Sequence, residues 1–275
     1  MLKNISKVGR DIISPYKSLI LDMDGVLWRG DAPIGDLPAI FARLRARGLK
    51  IALATNNSTR SPEQYVERLR GFGVDGLETW QVVTSANALA YELLRRFPDK
   101  GEIYVIGEIG LRQALTEAGF TAVDEENFGH ADNIVAVAAA VDRGINYAKL
   151  RRATLLIRAG KPFYGANPDR TFPTPEGFIP GSGALLAALE AATDVKPIVV
   201  GKPAPFILDL ARQRLGTSKE ETLVVGDRLE TDIAGGQAAG MPVALVLSGV
   251  STREQAEVWK PKIELVAEDL EELIG

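Results

Sequence analysis

The chain has 275 residues, 46% of them hydrophobic and 25% charged, with a formal net charge of −4. That length supports one large core or two smaller ones, and without a basic surplus nucleic acid is not expected as a main partner. Cysteine is absent and histidine occurs once, at His130, which excludes disulfides, thiolate catalysis and multi-histidine zinc sites.

The first 17 residues carry positive charges but no continuous apolar core, and do not read as a signal peptide. No apolar run reaches membrane-spanning length, so a cytoplasmic protein with no membrane partner is expected. Continuous Val-, Ile- and Leu-rich runs predict strands at Ser18–Asp22, Lys50–Thr55, Gln81–Thr84, Pro197–Gly201, Thr222–Asp227 and Val243–Leu247. Runs without alternation suit strands buried on both faces of a parallel sheet. Helices lie between them. Ser61-Pro62 with Gln64 forms a capping box with proline at the first helical position, and Gly71 or Gly73 stops that helix. Similar caps are predicted at Ser218/Glu221 and Thr252/Gln255. Strands alternating with helices predict an α/β fold with a Rossmann-like, doubly wound parallel sheet.

From about Pro98 to Lys196 further strand-like runs (Ile103–Ile106, Asn133–Ala139, Pro162–Ala166) and further helices make a stretch of domain size. It is expected to be a second, α/β domain spanning 98–196, inserted into a discontinuous core made of 1–97 and 197–275. Pro98-Asp99-Lys100-Gly101 and Pro180-Gly181-Ser182-Gly183 suit its flanks.

Four segments stand where predicted strands end: Asp22-Met23-Asp24-Gly25, Thr55-Asn56-Asn57-Ser58, Gly201-Lys202-Pro203 and Gly226-Asp227-Arg228-Leu229-Glu230-Thr231-Asp232. Each alone has an ordinary reading, as a turn, a helix cap or a solvated lysine. In a doubly wound sheet, however, the carboxyl ends of the strands share one edge, where ligands bind. Asp22 and Asp24, two residues apart, fall on one face of an extended chain, where like charges repel unless a cation holds them. Together the segments supply two carboxylate clusters for a hard metal such as Mg²⁺, a lysine, and hydroxyl and N–H groups for phosphate oxygens. That inventory fits phosphoryl transfer. A dinucleotide-binding turn does not fit, since the first strand ends in Asp-x-Asp-Gly and not in Gly-x-Gly-x-x-Gly.

These four motifs, in this order, resemble those of the haloacid dehalogenase superfamily. Their wording is similar to the class IIA, NagD-like (para-nitrophenylphosphatase-like) branch, from about Tyr16 to Val250, with the insert corresponding to that branch's α/β cap. The resemblance implies a Mg²⁺-dependent phosphatase acting on a small phosphorylated metabolite through an aspartyl-phosphate. It makes Asp22 the nucleophile and Asp24 the general acid and then base. The Asp22 carboxylate, the Asp24 carbonyl and Asp227 would hold the metal. Thr55, the Asn56 backbone N–H and Lys202 would bind phosphoryl oxygens, and Asp232 would support the metal or orient Lys202. Two alternatives remain at this stage: a phosphotransferase or phosphomutase with the same site, and a non-catalytic phosphometabolite-binding protein. The resemblance also makes a homodimer one option.

Asn57 reads first as part of a helix cap, with substrate contact as the rival, and Asn167 and Asp169 in the segment Ala166-Asn167-Pro168-Asp169 read equally as turn residues or as substrate contacts. The Pro180-Gly181-Ser182-Gly183 segment reads as a helix start, with anion binding as the rival. Trp28 and Arg29 read as packing residues or as a border of the site. His130 and the cluster Arg43/Arg45/Arg47 read as solvated surface.

Overall fold

The structure, a computed structural model, describes residues 3–4, 12–174, 176–263 and 265–275. Up to residue 84 the chain forms β1 (Lys3–Asn4), β2 (Ser18–Leu21), β3 (Trp28–Arg29), β4 (Ala32–Pro33), α1 (Leu37–Ala46), β5 (Lys50–Thr55), α2 (Pro62–Gly71) and β6 (Val82–Thr84). Then come α3 (Ser85–Arg96), β7 (Glu102–Ile106), α4 (Ile109–Glu117), β8 (Thr121–Val123), β9 (Ile134–Ala139), α5 (Tyr147–Arg158) and β10 (Phe163–Gly165). These are followed by β11 (Thr171–Thr174), β12 (Gly177–Pro180), α6 (Ser182–Thr193), β13 (Ile198–Val199) and α7 (Phe206–Leu215). The chain ends with β14 (Thr222–Gly226), α8 (Ala234–Ala239), β15 (Val243–Val246), α9 (Arg253–Val258), β16 (Leu265–Ala267) and α10 (Leu270–Ile274).

Two units result. The first comprises Met1–Thr55, Pro62–Val83 and Lys202–Gly275. Its seven-stranded sheet has the order β1-β16-β15-β14-β2-β5-β6, with parallel pairing from β1 through β5. The strands β2, β14 and β15 are buried along their whole length, which is why their sequences are continuously apolar. From β2 the chain builds outward through β5 and β6 on one side and returns to β14 on the other. Strand order therefore reverses at β2, the place where α/β sheets bind ligands. Helices cover the sheet through side chains such as Phe41, Leu44, Tyr65 and Leu69, which join Leu21 and Leu53 in one core.

The second unit comprises Asn56–Ser61 and Thr84–Gly201. Its five-stranded sheet runs β13-β10-β9-β7-β8, with every pair parallel. Tyr104, Ile106, Val137, Leu156 and Leu186 belong to a core of its own. An antiparallel pair, β11–β12, adds to it.

Three sequence expectations are corrected here. The run at Pro197–Gly201 yields only Ile198–Val199, and that strand pairs with Tyr164–Gly165 of the second sheet, not with the first. The inserted unit is accordingly wider than 98–196: helix α3 packs on α4, within the second unit. An apolar run cannot announce which sheet it will join, because that depends on partners distant in the chain. The predicted box at Ser218/Glu221 does form, with the Glu221 N–H donating to Ser218 Oγ and the Ser218 N–H to Glu221 Oε2. It closes a turn before β14, however, and starts no helix. The Thr252/Gln255 box caps α9, and Pro62 opens α2.

Candidate active site

Parallel register sets the first carboxylate. Leu21, the last residue of β2, lies opposite Val225 of β14 and Leu53 of β5. The three strands thus end within two residues of one level, and Asp22, Thr55 and Asp227 stand at or just past those ends. The Asp22 N–H continues the ladder to the Val225 carbonyl at 2.9 Å.

Lys202 reaches this edge from the loop before α7. Its side chain is only 3% exposed, and burying an ammonium demands charged or polar partners. Nζ lies 2.5 Å from Asp22 Oδ1 and 2.6 Å from Asp232 Oδ1, and donates to the Ala54 carbonyl at 2.9 Å. Burial works against the lysine's charge, yet Asp22 and Asp232 together hold it above its ordinary pKa. Asp22 is pushed well above the carboxylate range by burial. Lys202 opposes that shift, while the charges of Asp232 and Asp227 add to it. Asp232 itself is placed by the turn Leu229–Ile233, where its Oδ2 accepts the Arg228 N–H at 3.0 Å.

Asp227, 1% exposed, is gripped on one side only. Its Oδ2 accepts the Val250 N–H at 2.8 Å, whereas Oδ1 is buried with no hydrogen-bond partner among the described residues. Burial first and then Asp232 raise its pKa to about 6. Two glycines make room for it. A Cβ on Gly249 would come within 1.9 Å of Asp227 Oδ2. One on Gly25, whose φ of +86° already favours glycine, would come within 2.5 Å.

One carboxylate oxygen from each of Asp22, Asp227 and Asp232 lies within 4.8 Å of the others. Three carboxylates facing one ammonium leave negative charge in excess, and the donors are all oxygen. The orphaned Asp227 Oδ1, the charge excess and the hard donor set fit a divalent cation of the Mg²⁺ kind.

The remaining residues separate. Asp24 is exposed, and its Oδ1 accepts the Trp28 indole N–H at 2.8 Å. Thr55 is buried at the end of β5. Asn56, Asn167 and Asp169 come together in the second unit. The Asn56 amide donates to both Asp169 carboxylate oxygens at 3.2 and 3.3 Å, and Asn167 donates to the Asn56 carbonyl at 2.6 Å. Asn167 Oδ1 also accepts the Asp169 N–H at 3.1 Å. Asn57 closes a local turn with Thr59. The rival anion-binding reading of 180–183 is not supported, because the Gly181 and Gly183 N–H groups donate to the carbonyls of Arg170 and Asp169. His130 is exposed. Sequence reading missed the Ser248–Ser251 loop, which fixes Asp227 through backbone N–H groups. A Ser-Gly-Val step directly after a buried strand was its one visible trace.

Residues 19–121 match the model for haloacid dehalogenase-like hydrolases, and residues 199–273 a second hydrolase model of that kind. Over 239 residues the chain is 38% identical to the 5′-nucleotidase YutF of Bacillus subtilis, covering 87% of this chain and 90% of that protein. The chain is a haloacid dehalogenase-like hydrolase. Among solved structures, the hydrolase is similar to the p-nitrophenyl phosphatase from Archaeoglobus fulgidus, with a TM-score of 0.86 at 33% identity, over 94% of this chain and 98% of that one. It is also similar to the glycerol phosphate phosphatase from Mycobacterium tuberculosis, solved in complex with magnesium. There the TM-score is 0.88 at 32% identity, over 96% and 79%. This hydrolase is a phosphatase of the NagD-like, para-nitrophenylphosphatase-like branch.

Proposed function

We propose that this phosphatase hydrolyses small phosphate monoesters, of the sugar phosphate or nucleotide kind, through an aspartyl-phosphate on Asp22. The observation that carries the reading is the pairing of Asp22 with buried Lys202, beside an Asp227 oxygen that has no hydrogen-bond partner among the described residues. A carboxylate held by an ammonium keeps a fixed direction of attack and tolerates the approach of an anionic ester. As an Asp22 oxygen bonds to phosphorus, the bond to the ester oxygen breaks, and Asp24 gives that oxygen its proton. Asp24, now a carboxylate, takes a proton from the water that hydrolyses the aspartyl-phosphate. Thr55 and Lys202 bind the phosphoryl oxygens. The Asp22 and Asp227 carboxylates and the Asp24 carbonyl would hold Mg²⁺, which supplies neutralising charge to the phosphoryl group. The relatives' names, a 5′-nucleotidase and a glycerol phosphate phosphatase, support small esters as the substrate class.

The test is phosphate release from para-nitrophenyl phosphate with Mg²⁺ and with chelator, for the wild type and Asp22→Asn. Activity should need the metal and fall by about 10⁴-fold or more in the variant. Activity retained by Asp22→Asn would remove the nucleophile assignment.

A further inference from the structure

The first motif runs straight into the hairpin β3–β4, and this hairpin carries a feature that the reaction above does not use. Trp28, four residues after exposed Asp24, is fully buried. Its ring lies parallel to that of Tyr65 (centroids 6.3 Å apart, planes at 11°) and is tilted against Phe72 at 6.1 Å. The Arg68 guanidinium sits 4.4 Å above the indole, a cation on an aromatic face. That same guanidinium donates to the Gly30 carbonyl at the hairpin turn and lies 3.7 Å from Asp31. The Gly25 N–H bonds to the Trp28 carbonyl at 2.7 Å. The indole is therefore clamped on its faces and through its backbone, so its N–H has one direction. That direction is toward Asp24 Oδ1, at 2.8 Å, and among the described residues no other hydrogen bond reaches this carboxylate.

We propose that Trp28 is the positioning residue for the acid–base carboxyl of Asp24: the clamped indole holds Oδ1, so that Oδ2 carries the proton to the ester oxygen. This rests on Asp24 being the proton donor, as proposed above. An exposed carboxylate on a turn otherwise samples several rotamers, and misplacing a proton donor is costly to general acid catalysis.

The consequence depends on the leaving group. When the P–O bond breaks, its electron pair goes to the departing oxygen. An alkoxide needs the Asp24 proton at that moment, whereas para-nitrophenolate is a stable anion and leaves without it. Trp28→Phe keeps one aromatic ring in the stack and deletes the N–H together with the five-membered half of the indole. With Mg²⁺ present, kcat/KM for glycerol phosphate should fall by about 10-fold or more, and that for para-nitrophenyl phosphate by less than about 2-fold. Equal loss on both substrates, or loss on neither, would overturn the proposal, since a merely structural role lowers both together. Should Trp28→Phe fold poorly, benzothienylalanine at position 28 replaces the N–H with sulfur in the same outline and gives the same comparison. Asp24→Asn on the two substrates separates the levels. If it is not selective for glycerol phosphate, the acid assignment itself fails. If it is selective and Trp28→Phe is not, only the role of Trp28 fails.

Discussion

Lys202 Nζ lies 2.5 Å from Asp22 Oδ1 although 180 residues separate the two in the chain. The same ammonium holds Asp232 at 2.6 Å, so one cation restrains two carboxylates that would otherwise repel each other inside the protein. Lys202→Met should abolish phosphatase activity and also destabilise the fold by about 3–5 kcal/mol, because it leaves buried charge uncompensated. The urea midpoint of the metal-free variant reports this. Adding Asp232→Asn to Lys202→Met should recover part of the stability and none of the activity. An unchanged midpoint in Lys202→Met would contradict the charge arrangement.

Asp227 makes stability depend on pH and metal in opposite senses. Its carboxyl titrates at about 6 in the fold against an ordinary 3.8, so the folded state holds the proton more tightly than the unfolded one. Stability from this group is therefore intact below about pH 4, falls as pH rises toward 6, and is reduced by about 3 kcal/mol above that. In chelator, Asp227→Asn should gain Tm relative to the wild type between pH 4 and pH 7. Mg²⁺ should raise the wild-type Tm more at pH 7 than at pH 5, since it binds the ionised form. A gap between wild type and variant that stays constant across this range would count against the assignment.

Gly249 tests the cradle without replacing a charged side chain. A methyl there would lie 1.9 Å from Asp227 Oδ2, so the carboxylate must move. Gly249→Ala is expected to raise the Mg²⁺ concentration for half-maximal activity by about 10-fold or more, the scale seen when the surroundings of metal ligands are disturbed. Titration of activity against Mg²⁺ measures it, and wild-type metal dependence would show that the loop yields freely.

Asn167 was open between a substrate contact and a structural brace. It is buried and uses its amide on the Asn56 carbonyl and the Asp169 N–H. Asn167→Ala should cost about 2 kcal/mol, read as a lowered Tm, because two hydrogen bonds to half-buried backbone groups are lost, the Asn56 carbonyl keeping only that from Ser85 Oγ among the side-chain bonds described. A normal Tm with a large rise in KM would instead mark it as a substrate contact.

Much of the site was legible because its chemistry sits at strand ends. Asp22, Thr55 and Asp227 each stand at or directly after a short, continuously apolar run bounded by turn residues, the pattern that suits strands buried on both faces. The hairpin Trp28–Pro33 was not legible. Two residues per strand are too few to show a period, and Trp28 had packing as its obvious reading. The Ser248–Ser251 loop was missed for a related reason, since it acts through backbone N–H groups that no residue type advertises.

The sequence by itself determined the α/β class, the four motif segments and the kind of chemistry they supply, because residue type and local spacing are local properties. Only the tertiary structure decided which sheet Ile198–Val199 joins, that Lys202 is shared between Asp22 and Asp232, and that one oxygen of Asp227 has no hydrogen-bond partner among the described residues. Each of these depends on groups far apart in the chain meeting at a few ångströms. Pairing register and burial create such meetings, and no local pattern encodes them.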